Sequence, residues 1–426
     1  MILFTASGLL VFLALSIPVG IVLFLLAFGI DAFFSPFPLM RGLGQVIWSS
    51  SNSATLIAIP FFVLLGEILV RSGIAQRTYS ALESWVSWLP GGLIHANVAT
   101  ATLFSATSGS SVATAATVAS VAMPQAERLN YDPRLFSGAI AAGGTLGIMI
   151  PPSINLIVYG FLTETSIPKL FLAGLIPGLL LALLFMIVTA ILCMLKPSLG
   201  GPGITRSWSH RIAGLVDLLP LLGLFGVIVG SIYAGWATPT EAAAVGVAMA
   251  MLIAAIQRAL TIPMIVQSLK GTVRTTAMIM LVVVGAYVLN FVLTAAGVSG
   301  ALRDFLAQLG LGPLSTLLVI ILMYIVLGFF IETLSLMVAT IPIVVPIIIQ
   351  LGYDPLWFGI LMIMLVEMAL ITPPVGLNLY VVQAARKNGS FSDVMIGVIP
   401  YAIAMLFMVA MLVMFPSIAL FLPDNF

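Results

Sequence analysis

Two pairs of adjacent prolines interrupt apolar stretches of the chain. Pro151-Pro152 follows the run from Gly143 to Ile150, and Pro373-Pro374 follows Ile371-Thr372. Proline has no backbone N–H and clashes with the preceding turn, so each pair must interrupt a helix and leave carbonyl oxygens without helical partners. Uncharged oxygens around a small cavity suit a weakly held Na⁺ that must be released again. The alternative is a structural kink packed against small residues.

The proline pairs belong to an internal repeat with an offset of 222 residues, from 151 to 373. The same offset aligns Tyr131-Asp132-Pro133 with Tyr353-Asp354-Pro355, and Phe136 with Phe358. Two helix breaks at matching places in two halves of an apolar chain indicate a secondary transporter built from repeats.

A second irregular stretch precedes each proline pair. Small and hydroxylated residues run from Ser105 to Ser111, and this composition weakens a helix while offering hydroxyl and carbonyl oxygens. The sequence predicts a helical hairpin over about 93–123 with its tip in this stretch. A second hairpin is predicted over about 314–349, with a break between Gly328 and Thr333. Irregular backbone at membrane depth is tolerated only where protein or a water-filled cavity satisfies it.

Composition identifies an integral membrane protein. Hydrophobic residues make up 62% of the 426 residues, charged residues 7%, and the mean hydropathy is +1.25, whereas soluble domains carry about 25% charged residues. Roughly ten to fourteen apolar stretches are long enough to cross a bilayer. The net charge of +1 gives no basis for nucleic-acid binding. No catalytic nucleophile pattern or phosphate-binding loop is present, so the sequence does not indicate an enzyme.

The polar connection from Lys196 to Arg211 divides the chain into residues 1–200 and 201–426. Under the positive-inside rule this connection is cytoplasmic and both termini are periplasmic. Each half then crosses an odd number of times, so the second repeat is inverted relative to the first. We therefore predict an all-α polytopic membrane protein with two inverted-topology repeats. Each repeat contains a re-entrant hairpin and a broken helix, the latter over about 135–165 and about 357–383.

Four carboxylates lie in or beside apolar stretches: Glu67, Glu241, Glu332 and Glu367. Intramembrane charge is expensive and usually functional, so a proton relay is one reading of each. The structural reading is a helix-start contact for Glu241 and interhelical hydrogen bonds for Glu67 and Glu367. Glu332 lies beside a predicted hairpin tip, where the proton-relay reading stays open.

These motifs resemble the large membrane subunit of tripartite ATP-independent periplasmic transporters, the DctM-like family. Besides the Ser105–Ser111 stretch and the run from Gly143 to Ser153, the resemblance rests on Ile59-Pro60-Phe61-Phe62, Ala237 to Ala244, Gly352 to Gly359 and Ile371 to Tyr380. It implies an elevator-type symporter of the bacterial inner membrane, in which a transport domain of both hairpins and both broken helices moves against a scaffold. A Na⁺ gradient, with two or more Na⁺ as coupling ions, would supply the energy.

The resemblance also implies partners. Family members receive a small organic acid from a periplasmic substrate-binding protein and work with a small four-helix membrane subunit. The nearest alternative is a self-sufficient transporter of organic anions, coupled to Na⁺ or H⁺, without accessory subunits.

By motif position, the resemblance assigns site residues in this chain. The first Na⁺ site would use Ser105, Ser108, Gly147, Ile150 and Pro152, and the second Gly328, Ala369, Thr372 and Val375. The substrate would lie between the tips and the breaks, near Ser108, Ser110, Ser153 and Asn155. Neither tip and neither break contains Arg or Lys, so hydroxyl donors and helix N-termini would hold a carboxylate. Sialic acid, a C4-dicarboxylate, another sugar acid and a zwitterion such as ectoine all remain open.

Overall fold

The structure is a computed structural model. It describes residues 2–425 except 16, 36–37, 54, 202–207, 298–299, 301–311, 374–375 and 387–388. Regular structure in these residues is helical, apart from turns, which confirms the predicted all-α class. The α-helices are α1 (Ile2–Ala14), α2 (Val19–Phe34), α3 (Leu43–Ser51), α4 (Ala58–Arg71), α5 (Ile74–Val86), α6 (Leu93–Ser108), α7 (Ser111–Arg128), α8 (Pro133–Met149), α9 (Ile154–Thr163), α10 (Ile167–Leu195), α11 (Trp208–Tyr233), α12 (Pro239–Ile256), α13 (Ile262–Ala295), α14 (Pro313–Gly328), α15 (Thr333–Gln350), α16 (Pro355–Ala369), α17 (Leu377–Ala385), α18 (Phe391–Met414) and α19 (Ser417–Asn425).

Seven helices of the described residues are long and apolar enough to cross a membrane, with α8 and α9 counted together. The bent pair α4 and α5, whose axes differ by 70°, would make an eighth. The prediction of roughly ten to fourteen spans is therefore too high by this measure. Several apolar stretches form shorter helices, including α2, α14 and α16, because breaks and hairpin tips divide them before they reach the length of about 20 residues that a bilayer requires.

The first hairpin consists of α6 and α7, and Gly109 and Ser110 form its tip. Gly109 adopts a left-handed backbone conformation with φ of 59°, which glycine tolerates without strain. The Ser110 side chain then caps α7 by accepting a hydrogen bond from the Ala113 N–H. The hairpin was predicted to end near residue 123, whereas its second arm continues to Arg128.

The second hairpin consists of α14 and α15, joined by Phe329–Glu332. Here the Glu332 carboxylate is the cap, since it accepts hydrogen bonds from the N–H groups of Leu334 and Ser335 at 3.1 and 2.9 Å. Ser110 and Glu332 are separated by the repeat offset of 222 residues, so the two tips use different side chains for the same structural task.

The repeated Tyr-Asp-Pro motif starts both broken helices. Asp132 accepts hydrogen bonds from the N–H groups of the first turn of α8, and Asp354 does the same for α16. Each following proline occupies the first helical position, where a missing N–H costs nothing. The first broken helix runs through α8 and α9 with its interruption at Ile150–Ser153. The second runs through α16 and α17 with its interruption between Leu370 and Gly376.

The two hairpins enter the protein from opposite ends. At the base of the first hairpin, the Leu93 N–H donates to the Tyr131 hydroxyl at 3.1 Å, just before α8 begins. At the far end of the same span, the Tyr159 hydroxyl donates to the carbonyl of Pro355, which follows the second hairpin. Because α8 and α9 together cross the molecule, the hairpin bases lie at opposite ends, as an inverted repeat requires.

Helix α8 lies at the centre of the described structure, packed against both arms of the first hairpin, α10 and α18. Gly138 of α8 and Gly397 of α18 permit a close helix crossing, since a Cβ atom on either would collide with backbone atoms of the other helix. At the end of this crossing, Asp393 pairs with Arg134 and Arg386, with N–O distances of 3.2 Å.

Candidate functional site

The tip of the first hairpin rests directly on the first proline break. A Cβ atom added to Gly109 would lie 3.1 Å from the carbonyl oxygen of Pro152. A Cβ atom added to Gly147 would lie 2.8 Å from the carbonyl carbon and oxygen of Ser110 and 2.9 Å from the Cα atom of Ser111. Both glycines are therefore required for this approach of backbone to backbone.

The break leaves carbonyl oxygens at this contact without their helical donors. Pro151 and Pro152 cannot donate to the carbonyls of Gly147 and Ile148, four residues earlier. Of the residues assigned to the first Na⁺ site, Gly147 and Pro152 thus contact the hairpin tip through backbone atoms, and Ile150 lies between them as the end cap of α8. Oxygen-rich, uncharged surroundings of this kind can hold a monovalent cation.

The serines assigned to this site are buried, and their hydroxyls have hydrogen-bond partners. Ser105 donates to the Ala101 carbonyl one turn earlier. The Ser108 Oγ lies 2.7 Å from the Thr114 Oγ1, so these two hydroxyls join the arms of the hairpin just below its tip. Helix α4 also approaches here, because a Cβ atom on Gly66 would lie 2.9 Å from the Ser108 carbonyl oxygen.

The tip of the second hairpin meets the second break in the same manner. A Cβ atom added to Gly328 would lie 2.6 Å from the Cβ atom of Ala369. Pro373 cannot donate to the Ala369 carbonyl, which instead accepts from the Thr372 N–H at 3.4 Å. The Thr372 hydroxyl donates to the Met368 carbonyl at 2.6 Å. Val375, the fourth residue assigned to the second Na⁺ site, lies outside the described residues.

A cavity of about 110 Å³ lies between the two tips and the breaks. Ser110 and Asn155 line it from the first half, and Glu332 and Leu370 line it from the second. Helix α13 supplies a further wall through Thr275, Met278 and Ile279. Its volume equals that of about three or four water molecules at roughly 30 Å³ each, so a larger solute requires the surrounding elements to separate.

Of the four residues predicted to bind substrate, Ser110 and Asn155 line this cavity. The Asn155 side chain is 5% exposed, and its Nδ2 has no hydrogen-bond partner among the described residues. A buried donor without a partner is costly and points to a missing ligand or water. Ser108 pairs with Thr114, as described above, and the Ser153 Oγ accepts from the Leu156 N–H at 3.3 Å to cap α9. The structure thus gives these last two residues helix-stabilising contacts.

Sequence reasoning did not assign Ser111 to the site. Its Oγ lies 3.0 and 2.9 Å from the two carboxyl oxygens of Glu367 and 3.3 Å from the Thr145 carbonyl oxygen. It therefore connects the first tip to both broken helices. Its position at the end of the serine run was visible in the sequence, but its partner 256 residues away was not.

The remaining carboxylates have local partners. Glu241 forms a capping box with Thr238, in which the Thr238 N–H and hydroxyl each donate to Oε2 at 2.8 Å. Glu67 forms an ion pair with Arg71 one turn away, and not the interhelical hydrogen bond that the structural reading anticipated. The interhelical reading of Glu367 agrees with its contact to Ser111, and Glu332 serves as the helix cap described above.

Comparison with known proteins adds an independent line of information. Residues 7–418 match the family described as the tripartite ATP-independent periplasmic transporter, DctM component. The C4-dicarboxylate TRAP transporter large permease protein DctM of Pseudomonas aeruginosa is 36% identical over 387 residues, 90% of each chain. The sialic acid TRAP transporter large permease protein SiaM of Vibrio cholerae is 33% identical, over 90% of this chain and 89% of that one. The ectoine TRAP transporter large permease protein TeaC of Halomonas elongata is 31% identical, over 91% and 92%.

Among solved structures, the crystal structure of the Alcanivorax borkumensis YdaH transporter, described as having an unusual topology, is similar to this chain. The TM-score is 0.61, and the match covers 98% of this chain and 99% of that one. Sequence identity is 14%, so the likeness concerns the fold alone.

Proposed function

Because the chain belongs to the DctM family of tripartite ATP-independent periplasmic transporters, we propose that it couples the entry of Na⁺ to the uptake of a small organic acid across the bacterial inner membrane. Membership of this family makes it a multi-pass transporter permease and not an enzyme. The coupling ion, the mechanism and the two partner proteins are parts of the proposal.

One observation carries the proposal: each hairpin tip contacts its own proline break at repeat-related places. The contacts are Gly109 with Pro152 and Gly328 with Ala369. At both, proline removes the helical donor of a nearby carbonyl oxygen. Two equivalent clusters of uncharged oxygens suit two Na⁺ that are bound and released in each cycle.

The cavity between these clusters suits an anionic substrate. Three helices begin at its wall, namely α7, α9 and α15. Helix N-termini carry partial positive charge and bind carboxylates without a basic side chain. The Glu332 carboxylate occupies the start of α15, which leaves α7 and α9, together with the unpaired Asn155 amide, to receive a substrate carboxylate.

An elevator movement fits the way these elements are divided. The two hairpins and the two broken helices surround the cavity, whereas α13 closes it from outside this group. If the group slides along α13 as one body, the cavity passes from one side of the membrane to the other. Binding of Na⁺ would hold each tip on its break and so keep the substrate enclosed during this movement.

The distribution of basic residues supports an orientation. The base of the first hairpin contacts the central connection, since a Cβ atom on Gly201 would lie 2.7 Å from the ring of Tyr131. Basic residues that lie on or beside this end are Arg128, Arg134, Lys196, Arg211 and Arg386. By the positive-inside rule this end is cytoplasmic, so the second hairpin enters from the periplasmic side.

Reconstitution tests this proposal against the self-sufficient alternative. We would place the chain in proteoliposomes with and without the small four-helix subunit and a loaded substrate-binding protein, and measure uptake under an inward Na⁺ gradient without ATP. We expect uptake only with both partners and the Na⁺ gradient. Uptake by this chain alone would favour the self-sufficient transporter, and uptake driven by a proton gradient without Na⁺ would refute the proposed coupling ion.

A further inference from the structure

The buried carboxyl group of Glu367 lies against the tip of the first hairpin, although it belongs to the second half of the chain. Glu367 and Ser111 are each 1% exposed. The Ser111 hydroxyl lies 2.9 and 3.0 Å from the two carboxyl oxygens. Among the described residues, Ser111 is the one side-chain hydrogen-bond partner given for Glu367.

This contact reaches the first proposed cation site through one residue. Ser111 begins α7 directly after Ser110, whose backbone lies against Gly147 of the first broken helix. A shift of Ser111 must therefore move the backbone that faces the freed carbonyl of Gly147. The same carboxyl group lies two residues before Ala369, at the second break, so it connects the surroundings of both proposed sites.

The contact breaks the symmetry of the two repeats. At the offset of 222 residues, Glu367 corresponds to Thr145 and Ser111 corresponds to Thr333. The Thr145 hydroxyl donates to the Ala142 carbonyl within its own helix, and the Thr333 hydroxyl donates to its neighbour Glu332. Neither makes the connection between tip and opposite broken helix that Ser111 and Glu367 make. A buried carboxyl group is expensive in a membrane protein and is retained where it has a task.

We propose that Glu367 is a positioning residue that, through Ser111, holds the tip of the first hairpin against Gly147 and thereby sets the Na⁺ affinity of the first site. The inference rests on the proposed Na⁺ coupling. Glu367 has no direct contact with the ion in this account. Its carboxyl group acts as a hydrogen-bond acceptor, so an amide oxygen in the same place performs the same task.

The first test compares the Na⁺ concentration for half-maximal uptake in Glu367→Leu, Glu367→Gln and Ser111→Ala. Loss of the hydrogen bond in the Leu and Ala variants should raise this concentration about tenfold, which is about 1.4 kcal/mol. Glu367→Gln should stay within about twofold of wild type, because its amide oxygen still accepts from Ser111. At saturating Na⁺, the KM for substrate should change little in every variant.

Tyr401→Phe is the matched control. Tyr401 and Thr189 form another buried hydrogen bond between the two halves, at 2.8 Å, away from both breaks. Its removal perturbs a cross-half contact of the same kind without touching a tip, so the Na⁺ dependence should equal that of wild type. A Na⁺ shift in this control equal to that in Glu367→Leu would mean that any buried cross-half contact has the effect, and would overturn the specific role of Glu367.

The second test is hydrogen exchange at the backbone amides of residues 110–113 without Na⁺ or substrate. Glu367→Leu should increase exchange at these amides, and Tyr401→Phe should not. Unchanged exchange together with an unchanged Na⁺ requirement in Glu367→Leu would overturn the inference. If Glu367→Leu does not insert, Ser111→Ala breaks the same contact from the other side and decides the matter. A Gln variant as impaired as the Leu variant would also overturn it, since the charge and not the hydrogen bond would then be required.

These outcomes separate the inference from the proposed function. Wild-type uptake without Na⁺ dependence refutes the coupling itself, whatever the exchange data show. Na⁺-dependent wild-type uptake with no effect of Glu367→Leu refutes only the positioning role.

Discussion

The substitution Gly147→Ala tests whether the contact between the first tip and the first break controls Na⁺ binding. The added methyl group would meet the carbonyl carbon and oxygen of Ser110 at 2.8 Å and the Cα atom of Ser111 at 2.9 Å. All three are backbone atoms, which cannot rotate away as a flexible side chain can. Ordinary contact begins near 3.4 Å, so the tip must retreat by roughly 0.6 Å.

The size of the effect follows from the cost of overpacking. Inserting a methyl group into a well-packed region costs about 1–3 kcal/mol. If this cost falls mainly on the arrangement with the tip closed on the break, Na⁺ affinity falls by about 5–150-fold. In water-exposed helix positions the same change is favourable by about 1 kcal/mol, so a general loss of helix stability does not explain an impairment.

The assay is Na⁺-dependent uptake in proteoliposomes, with Gly230→Ala as the matched control. Gly230 lies in α11, and a Cβ atom there would have no neighbour within 4 Å. We expect a raised Na⁺ requirement in Gly147→Ala and none in Gly230→Ala, with equal amounts of inserted protein. A wild-type Na⁺ requirement in a well-folded Gly147→Ala protein would refute the proposed coupling between tip closure and cation binding.

Three further substitutions test other parts of the site and the fold. Asn155→Leu removes the unpaired amide donor at the cavity and should raise the KM for substrate about tenfold, while the Na⁺ requirement measured in the same uptake assay stays unchanged. Thr372→Ala should raise the Na⁺ requirement several-fold because it removes a hydroxyl oxygen at the second break, and Thr372→Ser should restore it; equal Na⁺ titrations of both variants and wild type would remove this hydroxyl from the site. Thr238→Ala should lower stability by about 1 kcal/mol by removing the cap shared with Glu241, seen as a lower Tm in detergent that Thr238→Ser recovers, and an unchanged Tm would show that the cap does not limit unfolding.

The breaks and caps of this fold could be predicted from the sequence because their causes are local. Two adjacent prolines cannot continue a helix wherever they occur. An Asp-Pro pair starts a helix through side-chain capping and the fixed φ of proline. Repetition of these signals at Pro151-Pro152 and Pro373-Pro374 was enough to indicate two related halves.

The composition of the cavity could not be predicted in the same way. Thr275 of α13 is neighbour to the cavity through packing, and no local pattern marks it among the other residues of a long apolar helix. The partner of Ser111 lies 256 residues away. Ser108 and Ser153, whose types suggested substrate contacts, instead satisfy the backbone and side chains of their own hairpin and helix, since hydroxyls near helix ends readily form such local bonds.

Equilibrium binding of radioactive Na⁺ to the purified chain tests the central claim most directly, since it counts the ions without requiring transport or partners. The account predicts at least two Na⁺ per chain at saturation. It also predicts that Gly147→Ala and Gly328→Ala each weaken the binding of one ion, because each added methyl group separates one tip from its break. No saturable Na⁺ binding, or binding that neither substitution alters, would contradict the assignment of the two breaks as cation sites.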